Sequence, residues 1–307
     1  MKYLSVCSGI EAATVAWHQL GWEPLAFSEI EPFPRKVLAH HYPDVPCYGD
    51  FTKLREMDWI GGADLLVGGT PCQAFSVAGL RQSLDDDRGN LTLEFVRLAD
   101  AIDNLRHARG DKPAIIVWEN VPGVLSVKDN AFGCFLAALV GNDAPLIPTG
   151  GKWTNAGMVI GPQRSAAWRV LDAQYFGVAQ RRRRVFVVAG SGDGFDAAEI
   201  LFERESGRRN IAPNRPKGEE PAKTITTGIG QRNDPETELM IIVNGNSVRR
   251  PTPKECERLQ GFPDGYTDIP NATHTPRWKA LGNSMAVPVM LWIGERIQLH
   301  YKKGEDQ

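Results

Sequence analysis

The chain has 307 residues, 42% of them hydrophobic and 23% charged, enough for one large core with a smaller appended lobe. A formal net charge of −2 gives no global signature of a nucleic-acid binder, and five scattered cysteines without a Cys-x-x-Cys pair argue against a disulfide framework or a zinc site. No apolar run reaches the length of a membrane span, and the N-terminus turns polar at Ser8, too early for a signal peptide, so a cytoplasmic protein with free thiols and no metal is expected.

In chain order, Tyr3 to Val6, Leu25 to Ser28, Leu65 to Val67 and Ile115 to Trp118 are short apolar runs that read as buried strands, and Val185 to Ala189 adds another. Between them Ala12 to Leu20, Arg35 to His41 and Leu91 to Leu105 carry helical spacing. This alternation predicts an α/β fold, a Rossmann-like doubly wound and mostly parallel sheet. From about Gly190 to Tyr266 the periodicity fades, but Thr224 to Thr227 and Leu239 to Val243 are β-prone, which predicts a small irregular β-rich domain. An amphipathic stretch, Pro288 to Tyr301, with its proline suited to a first turn, predicts a helix that packs back on the large domain. The expected division is therefore 1–190, 191–276 with a variable part at about 191–248, and 277–307.

In a doubly wound sheet, ligands sit beyond the carboxyl ends of the strands. Ser5 to Glu11 follows the first strand with one glycine but no G-x-G-x-x-G, so taken alone it is a tight strand-to-helix turn. Glu29 and Glu31 follow the second strand, where a carboxylate can accept from a ribose diol, and Asp50 is placed to accept from an adenine amino group. Cys72 lies in Gly68 to Ser76, a Gly/Pro-containing loop of the kind that displays nucleophiles, although free cysteines are mostly small core residues. Glu119 follows the apolar Ile115 to Trp118; partial desolvation there raises a carboxyl pKa and keeps it protonated. In such a sheet Cys72 and Glu119 lie side by side at one rim. Arg181 to Arg184 are four consecutive arginines; in a strand, Arg182 and Arg184 share one face and Arg181 and Arg183 the other. Leu281 to Met285 reads as a turn before the terminal helix, at the same rim.

Together Pro71-Cys72-Gln73, Glu119-Asn120-Val121, Gln180-x-Arg182-x-Arg184, Arg249 through Asp264 and Gly282-Asn283-Ser284 resemble the cytosine-5 DNA methyltransferase family, in its order and along nearly the whole chain. The resemblance implies the S-adenosylmethionine-dependent methyltransferase fold and assigns catalysis to Cys72 as nucleophile, Glu119 as ring-binding acid, and Arg182 with Arg184 as their partners. It implies a cofactor site built from Cys7, Ser8, Gly9 and Ile10, then Glu29 and Ile30, Asp50 and Phe51, Pro71 and Leu91, and finally Asn283 and Ser284. S-adenosylhomocysteine would be the product. Residues 191–248 correspond to the family's target-recognition region, with Thr224-Ile225 as its short signature. Double-stranded DNA would be met by Gln73, Ser76, Arg88, Arg181, Arg183, Thr224, Ile225 and Arg249. A monomer is expected, with a restriction endonuclease as a functional rather than physical partner. Two departures stand out: Glu11 and Ala12 occupy positions where the family usually has glycine, predicting a different path for the cofactor loop, and the recognition region is short.

The chemistry explains the residue types. Carbon 5 of cytosine is a weak nucleophile until a thiolate adds to carbon 6, and a thiol is both appreciably ionised near neutral pH and intrinsically nucleophilic. Such a base must first leave the stack. Methylation of RNA by the same fold is the alternative. A non-catalytic binder would have no reason to keep the whole catalytic set, and a small-molecule Rossmann-like enzyme would leave the arginine run without a purpose.

Overall fold

The computed structural model describes residues 1–71, 91–192, 194–203, 224–225, 242–244 and 247–305. Cys72, Gln73, Ser76 and Arg88 lie outside the described residues. One sheet of eight strands has the order β3-β2-β1-β4-β5-β8-β7-β6. Its strands β1 (Lys2–Val6), β2 (Glu23–Ser28), β3 (Cys47–Tyr48), β4 (Leu65–Gly68) and β5 (Ile115–Asn120) run parallel. Beyond β5, the strands β8 (Arg183–Gly190), β7 (Ser165–Asp172) and β6 (Ala156–Ile160) each pair antiparallel with their neighbour.

Strands buried on both faces carry apolar residues without alternation, and β5 is buried along its whole length. Successive side chains then feed opposite cores. Val67, Ile115, Val117 and Val188 join one apolar cluster, while Leu66, Ile116, Trp118 and Val187 join the other. Helices α1 (Ala12–Trp17) and α8 (Val287–Glu305) cover the first face; α3 (Leu91–Arg109) and α4 (Ala131–Val140) cover the second. The helix α8 packs beside α1, and Trp17 Nε1 donates to Met290 O at 2.7 Å. Gly294 permits this approach, because a Cβ there would stand 2.5 Å from that same Trp17 nitrogen.

The chain adds strands outward from β1 to β3, then crosses back to start β4 beside β1. Strand order therefore reverses between β1 and β4, which in an open α/β sheet is where a ligand crevice forms, outside the carboxyl ends of the strands. The turns after β1 and β4 flank this point, and β5 carries Glu119 to the same edge.

Of the small β-rich domain expected over 191–276, the described residues show one antiparallel hairpin, β9 (Ile242–Asn244) with β10 (Ser247–Arg249). Both ends of the stretch are helical: α5 (Ala197–Leu201) and α6 (Pro253–Gln260). Ala197, Ile200, Cys256, Phe262 and Tyr266 share the core cluster that contains Tyr3 and Val67, so these ends are built into the main core. The expected turn at Gly282-Asn283-Ser284 is instead the last turn of α7 (His274–Asn283), with Ser284 as its cap. No described helix is long and apolar enough to cross a membrane, and no group of metal-ligating side chains occurs among the described residues.

Candidate active site

The turn after β1 takes an unusual path. Cys7, Gly9 and Glu11 all have positive φ, at 50°, 56° and 62°, a region that only glycine enters freely. This shape points the Gly9 amide at the end of β2, where it donates to Glu29 Oε2 at 2.7 Å. Glu29 Oε1 accepts from Glu31 N, also at 2.7 Å, so one carboxylate binds two turns together. Beside it Ile30 is 70% exposed, an aliphatic face at the rim. Asp50 caps the next turn through Thr52 N at 3.0 Å. A carboxylate has lone pairs to spare after two such bonds. A nucleoside-bearing cofactor fits these groups: open space above Gly9, carboxylates after β2 and β3, and an exposed aliphatic side chain. Ile10 and Phe51 are buried in the core, so their contribution to such a site is limited to backbone.

After β4 the chain is pinned from below. Asn120 Nδ2 donates to Thr70 O at 3.0 Å, and Asn120 Oδ1 accepts from Val121 N at 2.8 Å. Trp118 Nε1 donates to Thr70 Oγ1 at 2.9 Å, and the Thr70 and Thr92 hydroxyls are 2.8 Å apart. The two ends of the stretch between Thr70 and Thr92 are thus tied to each other and to β5. Glu119, the penultimate residue of β5, is 9% exposed. Its Oε1 pairs with Arg184 Nε at 3.1 Å, and a Cβ on Gly69 would sit 3.2 Å from its other oxygen. Burial pushes the Glu119 carboxyl above the ordinary range, against the opposing pull of Arg184 and Arg182.

The arginine run alternates in exposure, with Arg183 and Arg184 opening β8. Arg181 and Arg183 are exposed, whereas Arg182 is buried and Arg184 half-buried. Arg182 has a different role from its neighbour: its guanidinium donates to Ile225 O at 3.1 Å, Gly282 O at 2.9 Å and Ser284 O at 2.7 Å. Gln260 Nε2 reaches the same corner, donating to Leu281 O at 2.6 Å. Three of the sequence motifs therefore meet at the carbonyls of residues 281–284. Burial lowers the Arg182 guanidinium to about 9; a guanidinium remains charged there at neutral pH.

Several residues singled out from sequence stand apart from the rim. Ile225 is 0% exposed within the main core; its side chain offers no surface to DNA, which corrects that expectation, and its contribution is a carbonyl for Arg182. Thr224 Oγ1 donates to Arg181 O. Arg249 is exposed but makes two 2.8 Å bonds to Glu255, a pairing that holds the Glu255 carboxyl down to about 2. Leu91 opens α3, Asn283 is exposed at the end of α7, and Ser284 is buried. Sequence reasoning missed Thr70, Gln260 and Glu257. The last is fully buried, accepts from Gly265 N at 2.6 Å and Thr267 N at 2.9 Å, and pairs with Arg277 at 3.1 Å. Its only sequence signal was a carboxylate inside an otherwise cohesive motif.

Residues 1–142 and 191–299 match the family model of C-5 cytosine-specific DNA methylase. The chain belongs to this family. The unmatched interval contains Gln180 to Arg184. A phage P1 protein named DNA N-6-adenine-methyltransferase is 40% identical over 457 aligned positions, covering 96% of this chain and 61% of the relative. The chain therefore spans less than two thirds of that relative, which carries inserted segments that this chain lacks. The Type II methyltransferase M2.BsuMI of Bacillus subtilis is 27% identical, over 97% of this chain and 75% of its own length. Among solved structures, a Dnmt2 methyltransferase of S. pombe superposes with a TM-score of 0.67 at 15% identity, covering 97% of this chain and 99% of its own. That likeness establishes the methyltransferase fold.

Proposed function

We propose that this chain is a DNA (cytosine-5)-methyltransferase that takes a flipped cytosine from duplex DNA and methylates its carbon 5. The observation that carries the reading is Glu119, an almost buried carboxyl whose pKa is raised although Arg184 lies beside it. It stands next to the anchored Thr70-Pro71, and Cys72 follows in sequence. S-adenosylmethionine, when bound, supplies the methyl group as an electrophilic sulfonium.

The chain's own residues do the rest. The Cys72 thiolate adds to carbon 6, which breaks the ring's conjugation and makes carbon 5 enamine-like. Glu119 donates a proton to N3 as charge builds on the ring, a contribution of roughly 10²–10⁴-fold for a general acid. Arg184 holds Glu119 Oε1 and leaves the other oxygen for the base. After carbon 5 gains its methyl group, a base takes its remaining proton, and elimination breaks the bond between carbon 6 and sulfur, returning the electron pair to Cys72 as thiolate. Arg182 positions the corner at residues 281–284 rather than touching the base. The turn Cys7 to Ile10 with Glu29, Ile30 and Asp50 holds the cofactor.

Flipping costs a few kilocalories per mole, offset by phosphate contacts. The exposed Arg181 and Arg183 would make such contacts, with Gln73, Ser76, Arg88 and Arg249 as further ones, and affinity should fall steeply with salt. Residues 191–248 would read sequence, between the catalytic domain 1–190 and the returning segment 277–307. A monomer acting alone on each strand is the simplest assembly, with any restriction endonuclease a functional partner.

The name of the phage relative favours a second reading, methylation of adenine N6. That chemistry needs no thiol adduct, because the amino nitrogen attacks directly, and it gives Glu119 and Cys72 no task. The test is methyl transfer from radiolabelled S-adenosylmethionine to duplex DNA and to tRNA in one competition, followed by nucleoside analysis. Label in 5-methylcytosine of DNA is expected. Label in RNA or in N6-methyladenine would replace this reading.

A further inference from the structure

Glu11 is the first of the two residues at which this turn departs from the family's glycine pattern, and it is 1% exposed. Its φ of 62° is one a glycine adopts without strain and a glutamate does not. The side chain is tied into its surroundings on both oxygens. Oε1 accepts from Ser5 Oγ on β1, and Oε2 accepts from Thr14 Oγ1 at 2.6 Å and Thr14 N at 3.2 Å on α1. Its backbone adds two more links: Glu11 N donates to Ser8 O at 3.0 Å, and Glu11 O accepts from Val15 N at 3.2 Å. One residue therefore connects the strand, the turn and the helix around Cys7 to Ile10. From outside, Tyr266 OH holds the same turn through Ile10 O at 2.9 Å.

We propose that Glu11 is a positioning residue for the methyl donor, its carboxyl fixing by side-chain hydrogen bonds the left-handed turn that glycine flexibility provides elsewhere in the family. The inference rests on reading this rim as the donor site. Among the described residues, every donor to the carboxyl is a hydroxyl or an amide, not a cation. Among the described residues, the titratable groups whose charges act on it are the phenols of Tyr3 on β1, Tyr42 after α2 (Pro32–His41) and Tyr266, with the Cys47 thiol on β3. Burial raises the Glu11 carboxyl above the ordinary range. A change in its ionisation should therefore be felt by the turn and by whatever the turn binds.

The test is calorimetric titration of the full chain with S-adenosylmethionine, without DNA, across the acid-to-alkaline range, beside unfolding temperatures measured without ligand. Glu11→Ala should weaken donor binding by about tenfold or more. Glu11→Gln, which keeps shape and one acceptor, should restore most of that affinity while losing the wild type's pH dependence. In turnover, KM for the donor should rise with KM for DNA unchanged. Should Glu11→Ala not fold, Ser5→Ala and Thr14→Val each remove one hydroxyl donor, and each should weaken the donor a few-fold. Folded variants that bind the donor like wild type and differ only in unfolding temperature would overturn the proposal alone. A folded wild type that binds no donor would overturn the cofactor reading with it.

Discussion

Arg184 Nε stands 3.1 Å from Glu119 Oε1, and the carboxyl nevertheless has a raised pKa because burial outweighs the cation. A neighbouring positive charge favours the ionised carboxylate, whereas loss of water favours the acid. With desolvation the larger effect, Glu119 retains its proton further up the pH scale, as a donor to a ring nitrogen must.

Glu119→Gln should therefore lower turnover by roughly 10²–10⁴-fold. Removing the cation by Arg184→Met should raise the Glu119 pKa further, moving the alkaline decline of kcat/KM to higher pH while positioning suffers. Stability carries the same sign. A raised folded pKa gives stability that is present below the unfolded value and lost as pH rises through the folded one, so Glu119→Gln should gain on wild type toward alkaline pH. Rate profiles and denaturant midpoints across pH check both.

Asn120→Ala removes the donor to Thr70 O, just before Pro71 and Cys72. A buried group left without its partner costs about 1–3 kcal/mol, read by urea unfolding. Misplacement of a reacting group by about 1 Å can cost on the order of 10²-fold in rate, so turnover should fall by more than the folded fraction does. Equal losses in both would mean that Asn120 serves stability alone.

Thiol chemistry should single out Cys72. Burial pushes Cys7 and Cys256 up to about 12 and raises Cys47 and Cys134 as well, which leaves little thiolate on any of them at neutral pH. Brief iodoacetamide treatment followed by peptide mass spectrometry should find Cys72 alkylated first, with activity lost in parallel. Faster labelling of Cys7 would contradict that order.

Arg182→Lys keeps the charge but not the fork that reaches three carbonyls. Hydrogen bonds from charged donors are each worth about 1.5–3 kcal/mol, so this variant should lose at least that much in denaturant unfolding. Arg181→Lys, at an exposed position, should leave stability unchanged. The contrast tests the division between the two faces of the run.

The parallel strands β1, β2, β4 and β5 were legible because burial writes apolar runs, as in Ile115 to Trp118, whereas β3 is only two residues long and left no run to read. The strands beyond β8 were not legible either. The edge strand β6 carries glycine and alternates half-buried with exposed residues, while β7 begins Ser-Ala-Ala without a β-branched run. Helix α4 escaped for the opposite reason: nearly every side chain from Ala131 to Val140 is buried, so no amphipathic period marks it. Helix α6 did carry a signal, a capping box from Thr252 to Glu255 with proline at the first turn. At the site, the strand alternation of Arg181 to Arg184 was readable. The commitment of Arg182 to carbonyls about a hundred residues distant was not, because sequence spacing does not encode tertiary partners.

In the proposed reaction, carbon 5 of cytosine in DNA receives the methyl group through Cys72. Expression in a host lacking cytosine and adenine DNA methylation, with bisulfite sequencing and nucleoside mass spectrometry of its genome, tests this most directly. Protected cytosines in one short sequence context and 5-methylcytosine in the digest, both absent with Cys72→Ala, are the predicted result. N6-methyladenine in place of 5-methylcytosine, or undiminished 5-methylcytosine in the Cys72→Ala strain, would contradict it.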